Sequence, residues 1–170
     1  MKRSKKAQLE LSYGMIFSVI LIAVFLFVAI FAIMHFMNIG KLVETGVFIK
    51  DLQNEINRIW TSAGGEDIVF SKKINSETLQ YICFFNQQKE AKGEFKDFSA
   101  ELKRYSGSKT NNLHFYPASD SNFSPLEIKH IDIEKITKDS NPYCIKLKNK
   151  EIKLRLQKSL SDTLVTISAA

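Results

Sequence analysis

The sequence predicts an α+β protein in which one long N-terminal helix, transmembrane in its first part and amphipathic in its second, packs on a small antiparallel β-sheet domain. Three observations lead there. Residues 11–40 contain no Asp, Glu, Lys or Arg and are mostly Ile, Leu, Val, Phe and Ala. Beyond them apolar residues recur at helical spacing as far as Trp60, and the pair Gly64-Gly65 closes the pattern. From residue 66 onward the apolar residues fall into short runs, several of them alternating with polar ones as strands do.

Residues 1–10, MKRSKKAQLE, form a basic tail in which Lys2, Arg3, Lys5 and Lys6 outweigh Glu10, leaving +3 of the chain's +6. The remaining +3 is spread over residues 41–170, which implies no basic face for nucleic acid. A basic cluster just before an apolar span stays cytoplasmic by the positive-inside rule. The expected localisation is therefore the cell membrane, with the N-terminus cytoplasmic and the C-terminal domain extracytoplasmic. The other flank carries Lys41, Lys50 and Arg58, more thinly spread. Such a tail also meets anionic lipid heads.

About 20 helical residues cross a hydrocarbon core of roughly 30 Å, and residues 13–37 supply 25 without a proline. Every backbone N–H and C=O must be paired within such a segment when lipid surrounds it, so the run must be helical. It exceeds the roughly 7–15 residues of a cleaved secretory signal, and no small-x-small site follows it. The span is expected to stay in the mature protein.

Past the bilayer, Ile39, Leu42, Val43, Ile49, Leu52, Ile56, Ile59 and Trp60 mark one helical face, with charged and amide residues on the others. One helix is expected from about residue 8 to 62, roughly 80 Å at 1.5 Å per residue. Its segments divide as 11–40 in the membrane and 41–62 as an amphipathic extension. Trp60 is expected in the core of the outer domain.

Residues 66–170 form that domain. Strands are expected at 67–74, 78–86, 113–116, 126–133, 143–148, 152–157 and 163–167, with a helix at 94–105 that carries Phe95, Phe98, Leu102 and Tyr105 on one side and stops at Gly107. In the second strand Tyr81, Cys83 and Phe85 share a face with Leu79, while Ile82 and Phe84 fill the other, so it is buried on both sides. Lys148-Asn149-Lys150 reads as a hairpin turn. Ile152, Leu154 and Leu156 then alternate with Lys153, Arg155 and Gln157, one face in the core and one in water. The apolar parity changes between Ile128 and Ile131, which predicts a bulge near Lys129 or His130.

Cys83 and Cys144 are the only cysteines. In a small domain outside the cytoplasm they read as a disulfide, closing a loop of about 60 residues and stabilising by roughly 4 kcal/mol. Two buried free thiols are the alternative if the domain is cytosolic. No spacing suits zinc or a redox motif. His35, His114 and His130 lack carboxylates at ligand spacing, and Glu127, Asp132 and Glu134 spread along a charged edge without pairing for acid–base work. No catalytic motif, metal site or cofactor site is expected. Asn122-Phe123-Ser124 is a glycosylation sequon, followed directly by Pro125.

Lys6-Ala7-Gln8, then Glu10 and the apolar helix, resembles the class III signal of archaeal type IV pilin-like proteins. The resemblance covers about 30 residues and implies a pilin-like fold. It also implies cleavage between Ala7 and Gln8 by a prepilin-type membrane peptidase, and a helix retained as filament core or anchor. Glu10 would pair with the new N-terminal amine of a neighbouring subunit; a solvated charge at the membrane surface is its other reading. The chain is similar, too, to small uncharacterised archaeal single-pass membrane proteins with a helix-plus-sheet outer domain. Two functions fit. One is a non-enzymatic subunit or minor component of a cell-surface filament, with identical or related subunits as partners. The other is a permanent anchor in the lipid bilayer that displays a β-rich domain for binding or assembly.

Overall fold

The structure, a computed structural model, describes residues 13–119 and 124–170, the side chains of 36–45 excepted. Helix α1, Tyr13–Thr61, is the longest element. The chain divides into two units, Met1–Gly40 and Lys41–Ala170.

In the first unit Tyr13–His35 gives 23 residues of helix, long and apolar enough to cross a membrane, and none of these residues is buried within the protein. Phe17, Phe25, Phe27 and Phe31 all stand exposed. The Ser18 hydroxyl donates to the Gly14 carbonyl at 2.8 Å, so this polar group is satisfied within the helix. His35 stacks on Phe31 one turn earlier, their ring centres 6.4 Å apart.

The second unit opens with the last turns of α1, where Phe48, Leu52, Ile56 and Ile59 are fully buried. Spacings of four, four and three keep them on one side of the helix. The helix stops where Gly64 and Gly65 take φ of +100° and +78°, conformations that glycine reaches without a steric penalty. Six strands follow: β1 (Glu66–Lys73), β2 (Tyr81–Phe84), β3 (Leu113–Tyr116), β4 (Tyr143–Lys146), β5 (Glu151–Lys158) and β6 (Thr166–Ala169). Between them lie a 3-10 turn (Lys96–Phe98) and the short helices α2 (Ser99–Tyr105) and α3 (Ile133–Ile136).

The α+β layout is as expected, and the strands form two antiparallel sheets of three, ordered β1-β5-β6 and β3-β2-β4. Both contribute to the core under α1, through Phe70, Ile152 and Leu154 on one side and Ile82, Phe84 and Phe115 on the other. The first sheet turns its other face to water. There Arg155 grips Asp67 through three hydrogen bonds of 2.6–3.1 Å, and the Arg155 hydrogen bonds draw the Asp67 carboxyl below its usual range. The second sheet is buried on both faces, as the pattern at residues 81–85 predicts; Leu79, however, lies ahead of β2 and joins the main core.

Four expectations need correction. Residues 126–133 are not a strand: only Leu126 and Ile131 make single bridges, to Leu113 and Val165. Side chains hold this segment instead. Asn112 accepts from the Ile128 N–H and donates to the Ile128 carbonyl, and Gln53 on α1 does the same for Lys129. The parity change near Lys129 is therefore a turn in which His130 takes φ +65°, not a bulge. The helix expected at 94–105 is broken into the 3-10 turn and α2. Trp60 is 38% exposed and stacks on His130 at 3.6 Å, outside the core.

Candidate functional site

Cys83 and Cys144 face one another directly across β2 and β4, 4.0 Å between Cα atoms, and are joined in a disulfide. Both are buried, with Phe85, Leu102 and Ala118, on the side of the second sheet away from α1. An aromatic layer closes over them: Tyr81 meets Phe95, Phe98 and Tyr116, and Phe98 stacks on Tyr116 at 3.7 Å. Glu101 on α2 anchors the following loop by accepting from the Ala118 and Ser119 N–H groups at 2.7 and 3.2 Å.

His114 lies opposite Cys83 in β3 and is wholly buried. Its Nε2 is 3.2 Å from the Asn111 carbonyl, while Nδ1 has no partner among the described residues. Burial lowers its pKa to about 4, so the ring is neutral near neutral pH. The edge of one ring meets the other's face where His114 packs on Phe85, 5.6 Å between centres. This is a structural histidine. Among the described residues no group of three or more His, Cys, Asp or Glu is placed to hold a metal ion.

His130 completes a small polar lattice on α1, where Asn57 Oδ1 accepts from Gln53 Nε2 at 2.8 Å and lies 3.1 Å from His130 Nδ1. The lattice is a fastener, because Gln53 bonds both the N–H and the carbonyl of Lys129 and Asn57 Oδ1 meets the His130 ring. Nor do the carboxylates gather. Asp132 accepts from the Lys135 N–H at the start of α3, and Glu134 pairs with Lys89 at 2.8 Å. A second fastener is Asn141, 1% exposed, whose side chain accepts from Asn86 N–H and donates to the Asn86 and Glu90 carbonyls, each at 3.0 Å.

The surface feature with a distinct chemistry lies where α1 enters the second unit. An open concavity of about 590 Å³ is lined there by Val47, Lys72, Lys73, Ile74, Asn149 and Lys150. Antiparallel pairing brings the end of β1 beside the β4–β5 turn, and the Ile74 N–H donates to the Lys150 carbonyl at 2.8 Å. Asn149 and Lys150 take φ of +52° and +59°, as a tight hairpin turn requires. Neither Lys72-Lys73 nor Lys148-Asn149-Lys150 stands out in a chain with 24 basic residues. Only strand register reveals that they converge.

Ala7, Gln8 and Glu10, expected at a processing and assembly site, and Asn122 of the sequon lie outside the described residues. No family model matches the chain, and no curated protein or solved structure matches it either.

Proposed function

We propose that the chain is a non-enzymatic, single-pass membrane protein, a pilin-like subunit or minor component of a cell-surface filament. The observation that carries this reading is α1. One helix holds both an unburied, apolar 23-residue stretch and the buried stripe of Phe48, Leu52, Ile56 and Ile59, so the domain is built directly on its anchor. The Cys83–Cys144 bridge supports a domain outside the cytoplasm, since such bridges persist in oxidising compartments. In this reading a prepilin-type peptidase cuts before Gln8. The apolar helices of identical or related subunits then bundle, with Glu10 meeting a neighbour's amine.

A second reading is a permanent anchor displaying the domain outside the cell. It draws on the exposure of large apolar side chains right around Tyr13–His35, Ile16, Phe17, Val19 and Ile20 among them, which suits lipid on every side. The intact mass of protein extracted from native membranes separates the two. A chain lacking residues 1–7 is the result that the filament reading expects. A full-length chain would overturn it in favour of the anchor.

A further inference from the structure

We propose that the free edge of β4 is a strand-addition site for an extended, acidic peptide segment of another protein. The proposal goes beyond the reading of the chain as an anchored subunit and uses the second unit alone. The Cα atoms of Cys144 in β4 and Cys83 in β2 are 4.0 Å apart, the closely spaced pairing of an antiparallel ladder in which neither residue bonds the other's backbone. The Leu147 N–H donates to the Gln80 carbonyl at 2.9 Å, so the odd-numbered residues of this stretch bond toward β2 and the even-numbered ones turn away. The N–H and C=O groups of Cys144 and Lys146 therefore point away from β2, and among the described residues none of the four meets a partner. They open into a concavity of about 890 Å³ lined by β4 and by Tyr81, Phe95, Lys148 and Ala169. On its β6 side the Ala169 N–H is already taken, donating to the Tyr143 hydroxyl at 3.0 Å.

The occupant follows from these backbone groups and from charge. Outward N–H and C=O groups on alternate residues are what an added strand satisfies. Cys144 gains most, because it is only 6% exposed and shielded backbone groups are costly to leave unpaired. Lys146 shares the face of Cys144, its ammonium 6.0 Å from the centre of the Tyr81 ring, and Lys148 follows two residues on. Both lysines are exposed, and among the described residues neither forms an ion pair. The acids lining the concavity are Glu94 and Glu151, and Glu151 is engaged by the Ser71 hydroxyl and by Lys153 at 3.8 Å. Carboxylates on one face of the incoming strand complement Lys146 and Lys148, while its other face meets Tyr143 and Ile145 and suits apolar side chains. At the β1 edge the flanking charges already pair with one another, Asp51 with Lys72 and Arg58 with Glu66.

The test uses the full chain in detergent and an alternating glutamate–valine heptapeptide as probe, with hydrogen exchange read residue by residue by NMR. Saturating peptide should slow the Cys144 and Lys146 amides about tenfold and leave those of β5 unchanged, as pairing on the β4 edge requires. Replacing Lys146→Glu and Lys148→Glu together, two exposed positions, should weaken binding about tenfold. The same peptide N-methylated on alternate amides should not bind. No binding at millimolar peptide, or binding that leaves the Cys144 and Lys146 amides unchanged, overturns the proposal. So does equal binding by the N-methylated peptide, which would leave charge as the sole attraction, or by a lysine–valine peptide, which would remove the acidic requirement. If those two amides are already slow in the free chain and speed up on dilution, the occupant is a second copy and the proposal fails in its favour.

Discussion

His114 links one residue's burial to the acid stability of the whole domain. Its pKa of about 4 lies below the ordinary 6.5, so across that interval the unfolded chain takes up a proton that the folded chain refuses. Stability is therefore full above about pH 6.5 and falls as pH drops through 4, by a total of about 3 kcal/mol. Denaturant unfolding of the full chain in detergent should show this loss, and His114→Phe should remove most of it. Asp67, Glu151 and Asp162 are held low by hydrogen bonds from Arg155, Ser71 and Lys135, so their losses come at lower pH in parent and variant alike. An unchanged pH profile in the variant would refute the assignment. Gly93 has φ +80°, and a Cβ there would meet the Ser140 Cα at 2.8 Å. Gly93→Ala should cost about 2 kcal/mol or more in the same unfolding measurement. The cysteine pair was legible from count and length alone. Trp60 was not, because it follows Ile59 by about 100° around the helix, and only the fold shows that His130 arrives on that side.

Periodicity at the scale of elements served where the backbone pairs with backbone. The stripe Leu52, Ile56, Ile59 and the alternation Ile152, Leu154, Leu156 both reach the core as their spacing implies. It misled at residues 126–133, where the N–H and C=O groups of Ile128 and Lys129 are satisfied by Asn112 and Gln53. Those partners lie far off in the chain, and nothing in the local pattern marks an amide as reserved for backbone. Gln53→Ala should therefore loosen this segment by about 1–2 kcal/mol. Hydrogen exchange would report it as faster exchange near Lys129 with β5 amides unchanged, and uniform acceleration throughout the domain would contradict a local role. The edge strand β1 is held to α1 by the Asp51–Lys72 and Arg58–Glu66 pairs, charges that also discourage strand addition at that edge.

The whole molecule combines one covalent staple with one helix long and apolar enough to cross a membrane. The bridge closes a sequence separation of 61, so replacing both Cys83 and Cys144 with Ser should lower stability by about 4 kcal/mol in the chain-entropy model. Added reductant should destabilise the parent to a similar extent and leave the double variant unchanged. The lysine-lined concavity was the least legible feature in the sequence, because its lysines come from β1 and from the β4–β5 turn, about 75 residues apart, and meet only through register. The central claim is that Tyr13–His35 is a span and that the disulfide-bridged domain lies outside the cytoplasm. Protease added to intact cells tests it most directly. The account predicts loss of residues 66–170 and a protected membrane fragment that contains Tyr13–His35; a full-length chain, cut only after the membrane is opened, would contradict it.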